Sequence, residues 1–216
     1  MLNRIKNLFN KKEECKIQES VYDKIDSLFD SMNSEVIVLE LGEDLIEFRD
    51  SAVKIIGELR AQIKDECGFI MPSVTVRQNY AIQENEFVIY IQDKMIENRF
   101  VIPTEEDFAS EVFDALKTAI YNNIECVFTN EITEKYIEKV QKNNNLLVCN
   151  LINILSVIEI KTILSDIIFK GKSINNINYI FEKIGEYVLS EGNYKNTDRK
   201  YNPHVISQAI SKYLYK

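Results

Sequence analysis

The chain has no tryptophan and one histidine, His204, so no histidine metal cluster can form and any serine or cysteine nucleophile has a single base to draw on. Set beside Pro203 at a helix start, that histidine reads as a solvated surface residue. Cys15, Cys67, Cys126 and Cys149 are far apart and form no C-x-x-C, which removes support for zinc or thioredoxin-like chemistry and leaves reduced thiols as the expectation. Positive charge is in deficit, with 26 Lys and Arg against 34 Asp and Glu and a net charge of −8. Affinity for phosphates comes from clustered cations, so nucleic acid is disfavoured as a partner and an RNA-binding module is the weakest of the readings. No apolar N-terminal run with a small-residue cleavage site marks a secretory signal. The longest uncharged run, Asn143 to Ile158, carries five asparagines and falls short of a membrane span. The expectation is a cytoplasmic chain. Its only membrane contact would be peripheral, at the inner face of the cell membrane, through Met1 to Lys12, where Leu2, Ile5, Leu8 and Phe9 lie opposite Arg4, Lys6, Lys11 and Lys12. A frayed basic N-terminus is the plainer reading of that segment.

What is present is an ordinary globular balance, with 45% apolar and 28% charged residues in 216. A chain of this size buries roughly 70% of its unfolded surface and needs no staples. Val74 and Val76 alternate with Thr75 and Arg77, and Phe87, Ile89 and Ile91 alternate with Val88, Tyr90 and Gln92, the period of two expected of strands. Upstream, Val36 to Leu41 reads as a β-branched strand closed by Gly42, and Asp50 to Glu66 places Val53, Ile56, Leu59 and Ile63 on one helical face. Lys94 to Val101 adds a further strand after a tight turn near Gln92-Asp93-Lys94.

The pieces Leu39-Glu-Leu-Gly42 with Leu45-Ile46, Gly68-Phe69 with Pro72, Val76-Arg77 with Asn79, and Asn85-Glu86-Phe87 with Ile89 and Ile91 form an ordered set across about 55 residues. In that order and spacing they resemble the cytoplasmic domain of the flagellar and type III secretion export-gate family (FlhA/InvA-like, FHIPEP). Each piece also has a structural reading: Gly42 and Gly68 for turns, Pro72 to open a strand, Phe69 for the core. The resemblance implies a membrane domain before the cytoplasmic one in full-length relatives, a ring beneath the gate, and a cleft that receives chaperone and export-substrate complexes. It also implies a small inserted subdomain before the helix that starts near Thr104 and a fourth, C-terminal subdomain. Neither has a counterpart here, so the expectation is a stand-alone relative of the cytoplasmic domain.

Thr104 can cap that helix, with Glu105, Glu106 and Asp107 at the positive end of its dipole, and Phe108, Val112, Leu116 and Ile120 form its apolar face with Phe113 alongside. Ala109-Ser110-Glu111-Val112 resembles the family's Ala-Thr-His-Leu. The resemblance carries Ser110 over as a docking position, and Phe108 and Glu106 flank it as partner-binding candidates. The rest reads as helices: Ile132, Tyr136 and Val140; Leu147 through Ile158; Ile160 to a stop at Gly171; a helix capped by Ser173 with Ile177, Ile180, Phe181, Ile184 and Val188; and one from Pro203 through Ile206, Ala209, Ile210 and Tyr213. An N-terminal helix runs through Val21, Ile25, Leu28, Phe29 and Met32, and Ser190 to Lys200 is a polar loop. Gly171-Lys-Ser173 mimics the tail of a phosphate loop, but the position five residues before Gly171 is Asp166 inside a helical pattern, so it is a helix stop. Adjacent acids such as Glu105-Glu106 and Glu13-Glu14 read as solvated surface.

The fold expectation is therefore α+β: residues 1–34 a basic N-terminus and linker helix, 35–103 a small β-α-β-β(-β) sheet subdomain, and 104–216 an all-helical subdomain. No catalytic residue, cofactor or metal is implied. The functional expectation is a non-enzymatic interaction module in flagellar or type III protein export, with export-apparatus proteins or a full-length gate as partners and self-association open. A structural or regulatory oligomeric scaffold that kept the fold and left export is the alternative.

Overall fold

The computed structural model describes residues 35–190 and 201–214. The Met1 to Lys12 segment, the helix expected through Val21 to Met32, Glu13-Glu14 and nearly all of the Ser190 to Lys200 stretch lie outside the described residues. Four strands, β1 (Ile37–Leu41), β2 (Val74–Gln78), β3 (Glu86–Ile91) and β4 (Lys94–Phe100), form one sheet in the order β2-β1-β3-β4. β1 and β2 are parallel, with Leu39 opposite Val76, and such neighbours require a crossover, here the helix α1 (Arg49–Cys67). β3 runs antiparallel to both β1 and β4. The β3–β4 turn places Gln92 at φ 47° and Asp93 at φ 60°, the paired left-handed conformations that match a two-residue hairpin to the twist of its strands.

One face of the sheet carries Ile37, Leu39, Leu41, Phe87, Ile89 and Ile91 into the core. A register shift between Ile89 and Tyr90 leaves one extra residue in β4, and Ile96 turns toward the same core. The opposite face carries Val38, Glu40, Val88 and Tyr90; all but Tyr90 are buried. β1 and β3 are the two central strands, and their in/out alternation does not separate a buried set of side chains from an exposed one.

A 3-10 turn, Glu43–Phe48, precedes α1. The buried face of α1 is Ala52, Ile55, Ile56, Leu59 and Ile63. Val53, expected on that face, points to solvent; Ala52 occupies the core-facing angle one turn before Ile56. Three further helices follow: α2 (Glu105–Asn122), the single turn α3 (Ile124–Val127), and α4 (Asn130–Asn143). Phe108, Val112, Leu116 and Ile120 are buried along α2 as their spacing requires, and β4 leads into it through four residues ending at the Thr104 cap.

The helix read from Leu147 through Ile158 is two elements, α5 (Asn145–Ile152) and α6 (Val157–Phe169). Ser156 and Glu159 form a reciprocal capping box that starts α6, so the chain breaks at Asn153–Ser156 and Ile158 faces outward. Gly171 adopts φ 68° after α6, the helix stop expected of it. The next helix, α7 (Ile177–Ser190), is capped by Asn176, whose side chain accepts from the Tyr179 N–H; Ser173 instead accepts from Asn175 N–H in the turn before it. α8 (Pro203–Ser211) is capped by Asn202 and buries Ile206 and Ile210, while Tyr213 lies beyond it and is exposed.

Sheet and helices share one continuous buried cluster running from Ile37 to Ile210. Phe69 stacks on Phe128 at 5.3 Å and Phe128 on Tyr136 at 5.7 Å. The Tyr136 hydroxyl donates to the Gly68 carbonyl at 2.6 Å and accepts from Ile70 N–H at 3.0 Å. Ile174 N–H donates to the Cys67 carbonyl at 2.7 Å. Gly68 caps α1 at φ 74°, and a Cβ there would lie 2.5 Å from the Asn175 nitrogen. The Gly-Phe pair of the sequence is therefore the joint at which the loop before α7 is tied to the end of α1.

Candidate protein-interaction surface

Three connections meet at the end of the sheet where β1 stops. Gly42 N–H donates to Glu86 O at 2.8 Å, Asp44 N–H to Glu84 O at 2.9 Å, and Val101 N–H to Asn85 O at 3.0 Å. A Cβ on Gly42 would come 2.1 Å from the Gln83 carbonyl, so only glycine allows this approach. The same end holds the start of α2. Thr104 Oγ1 accepts from Asp107 N–H at 3.3 Å and donates to the Asp107 carboxylate at 2.7 Å. Arg99 of β4 reaches Glu97 at 2.9 Å and Glu111 of α2 at 2.8 Å, which pins strand to helix and raises the guanidinium pKa through those hydrogen bonds, that to Glu111 foremost.

On this rigid frame Phe100 and Ile102 are about two-thirds exposed, at 62% and 67%, with Met95 farther along the same edge strand and Tyr80 on the neighbouring loop also exposed. Glu106 and Ser110, one helical turn apart on α2, are exposed as well. Phe108 is not available to a partner. It is fully buried and packs against Phe48 at 5.5 Å between ring centres, because its angle on α2 is that of Val112 and Ala115. Glu43, Asp44, Glu84, Glu105 and Asp107, on the connections and the helix start at this end, are exposed carboxylates. Sequence reasoning missed Phe100 and Ile102; the usable signal was an edge strand carrying Lys94, Glu97 and Arg99 whose last apolar residues run into Pro103.

Two polar clusters elsewhere bear on function. Glu40, buried in the central strand, accepts from Arg77 at 2.8 and 3.0 Å and from Asn79 at 2.6 Å, and Arg77 also reaches Glu35 at 3.0 Å. The Leu-Glu-Leu-Gly and Arg-x-Asn pieces are thus one clamp across parallel strands, with no reactive group, and Glu40 raises the Arg77 pKa. Among the helices, Asp166 of α6 is buried, and its Oδ2 lies 2.7 Å from His204 Nδ1 and 2.8 Å from the Ser207 hydroxyl, which donates to it. Lys170 donates to the same hydroxyl at 2.8 Å.

Aspartate, histidine and serine meet there without the order of a catalytic triad. A triad sets the imidazole between acid and nucleophile. Here Ser207 and His204 bond the same carboxylate oxygen, so the imidazole does not take up the hydroxyl proton. The cluster is a clamp holding α8 to α6. His204, with a side chain 62% exposed, is on the surface as expected, but its tie to Asp166 was hidden in an apolar helical pattern. Burial raises the pKa of the Cys67 thiol and of the Tyr121 hydroxyl, away from reactivity near neutral pH.

Among the described residues no single helix is long and apolar enough to cross a membrane. The frame is that of an α+β domain with exposed apolar and acidic residues at one end of its sheet. The sequence pattern of the FHIPEP family matches residues 3–111, half of the chain, and the chain belongs to that family. Among curated proteins none matches the sequence.

Solved structures share the fold. The Chlamydia pneumoniae CdsV protein, in complex with CdsO, superposes with a TM-score of 0.65 at 12% identity, covering 81% of this chain and 63% of that one. The Shigella flexneri MxiA protein gives 0.60 at 13% identity, covering 81% and 61%. The nonameric EscV cytosolic domain from the type III secretion system gives 0.62 at 14% identity, covering 82% and 63%. The chain spans a little over three-fifths of the length of these structures.

Proposed function

We propose that this chain is a non-enzymatic protein-interaction module of flagellar or type III protein export, and that it receives another export component at the end of the sheet, on Phe100, Ile102, Glu106 and Ser110. The family match over residues 3–111 carries the reading, since it spans this surface. The sheet and α1 lie within residues 35–103, and the described helices α2 to α8 follow them. The CdsO complex of CdsV, and the nonameric state of the EscV domain, supply the two classes of partner, an export-apparatus protein and further copies of the chain. A contact of this kind buries on the order of 1,000 Å² or more, and a few central apolar residues dominate it.

The test is affinity capture from cells of the source organism with tagged wild-type chain and with a Phe100→Asp, Ile102→Asp double variant. Recovery of an export component by wild type and its loss in the variant, with unchanged circular dichroism, is expected. Recovery of no export component by either, or equal recovery by both, refutes respectively the export role and the assigned surface.

A further inference from the structure

The end of the sheet that carries Phe100 and Ile102 also carries nearly all of the chain's net charge. β1, β2 and β4 stop there and β3 starts there, and backbone bonds from Asp44 to Glu84 and from Val101 to Asn85 tie residues 42–48, 79–85 and 101–107 together. These three stretches hold seven carboxylates and neither lysine nor arginine: three in 42–48, then Glu84, then Glu105, Glu106 and Asp107. All seven are exposed, and among the described residues none pairs with a cation. Of 34 acidic residues, 27 remain for the rest of the chain, against all 26 Lys and Arg, so the rest is close to neutral. The helix dipole favours acids in the first turn of α2 and of the 3-10 turn, but it explains neither Glu84 nor the lack of any cation. Tyr80, 80% exposed on the β2–β3 loop, adds a third apolar body to Phe100 and Ile102.

We infer that the occupant of this surface is a basic amphipathic segment of a partner protein, its apolar stripe seated on Tyr80, Phe100 and Ile102 and its lysines or arginines facing the carboxylates. The inference rests on the reading of this end of the sheet as a partner surface, and adds the chemistry of the partner. Charge selects among occupants. Nucleic acid and anionic lipid bring phosphates, which the carboxylates repel. A neutral apolar segment gains only from the three apolar side chains, and its capture does not sense salt. A cationic segment is drawn in from a distance, because like charges gathered at one end of a nearly neutral body create a directional field. At physiological salt that field decays over about 8 Å. It acts on the rate of association, whereas the apolar contact sets how long the complex lasts.

The experiment uses the full chain in three forms: wild type; an end variant with Asp44→Asn, Glu84→Gln, Glu105→Gln and Glu106→Gln; and a distal variant with Glu58→Gln, Glu125→Gln, Glu134→Gln and Glu138→Gln, all exposed carboxylates elsewhere. The two variants carry the same net charge, so only its placement differs. The probe is a synthetic helical peptide of leucine and lysine with one apolar face, and its counterpart has glutamate for lysine. In surface plasmon resonance the lysine peptide is expected to bind wild type and the distal variant alike, and to associate with the end variant roughly tenfold or more slowly. Raising salt from about 0.05 M to about 0.5 M is expected to remove the same advantage from wild type, with no substitution involved. Phe100→Ser with Ile102→Ser is expected to speed dissociation and leave association nearly unchanged. Equal association with the end and distal variants, or equal binding of the glutamate peptide, would overturn the inference. So would salt-sensitive self-association in sedimentation velocity that the end variant abolishes, because a second copy would then be the occupant. An export component captured through Phe100 and Ile102, yet indifferent to salt and to the end variant, would leave the proposed function standing and remove this inference; the expected peptide result without capture of any export component would do the reverse.

Discussion

Replacing Gly68 by alanine tests whether the end of α1 and the loop before α7 are held in one rigid joint. Two costs add. The first is conformational: an L-residue at φ 74° costs about 1–2 kcal/mol relative to glycine. The second is the approach of the new Cβ, 2.5 Å from the nitrogen and 2.8 Å from the Cα of Asn175. Those are backbone atoms next to Ile174, whose N–H bonds the Cys67 carbonyl. They can retreat only by stretching that bond, and a net hydrogen bond is worth ~1 kcal/mol.

The sum is a loss of about 2–3 kcal/mol, which moves the urea midpoint down by roughly 1–2 M for an unfolding slope typical of a domain this size. Gly171→Ala is the internal control. Its φ is 68°, yet nothing lies within 4 Å of the position a Cβ would take, so only the conformational cost applies. Urea unfolding of both variants, followed by circular dichroism, should therefore give a Gly68→Ala loss larger than the Gly171→Ala loss by ~1 kcal/mol. Equal losses would refute the reasoning, because they would mean that the Asn175 backbone gives way freely and the joint is soft.

Three other outcomes follow from the same contacts. Glu40→Ala leaves Arg77 and Asn79 without their shared acceptor, and because Arg77 is half exposed and can turn to water the expected loss is about 1–3 kcal/mol in urea unfolding; a loss below experimental error would remove the clamp from the account. Phe108→Ala opens a cavity beside Phe48 and should destabilise by about 3–5 kcal/mol, so any loss of partner capture in that variant must accompany a lowered urea midpoint, and capture lost at unchanged stability would put Phe108 back on the surface. Burial pushes the Tyr136 hydroxyl up to about 12. A group raised on folding contributes stability that is complete below the unfolded tyrosine value, about 10, and fades as pH climbs toward the folded one. The urea midpoint of wild type should accordingly fall more steeply between pH 9 and pH 11 than that of Tyr136→Phe, and parallel declines would rule this tyrosine out as a cause.

The periodicities that survive folding are those imposed by one neighbour at a time. Phe108, Val112, Leu116 and Ile120 repeat at helical spacing and are buried together; Phe87, Ile89 and Ile91 repeat at strand spacing and face one core. Thr104 could be read as a cap because an N-cap bonds only its own first turn. The ordered pieces from Leu39 to Ile91 were enough to recognise the family, and residues 3–111 match it. By its own charge balance the sequence also made nucleic acid an unfavourable partner.

What the chain order could not express was which side of an element meets which other element. Val53 and Ala52 are both compatible with a buried stripe on α1, and only the angle at which the sheet receives the helix chooses Ala52. The break at Asn153–Ser156 lies inside a run apolar enough to pass for one helix; the capping box takes effect because α6 must turn away from α5 to enter the core. Asp166 looked like an interruption in an apolar pattern until His204 and Ser207, some forty residues on, arrived to satisfy it. Exposure of Phe100 and Ile102, and of Leu146 and Ile152, is likewise a property of the edges and corners left when everything else has packed. Local patterns record the demands of a residue's own helix or strand, whereas a surface is defined by what does not cover it, and that is decided only when distant segments have met.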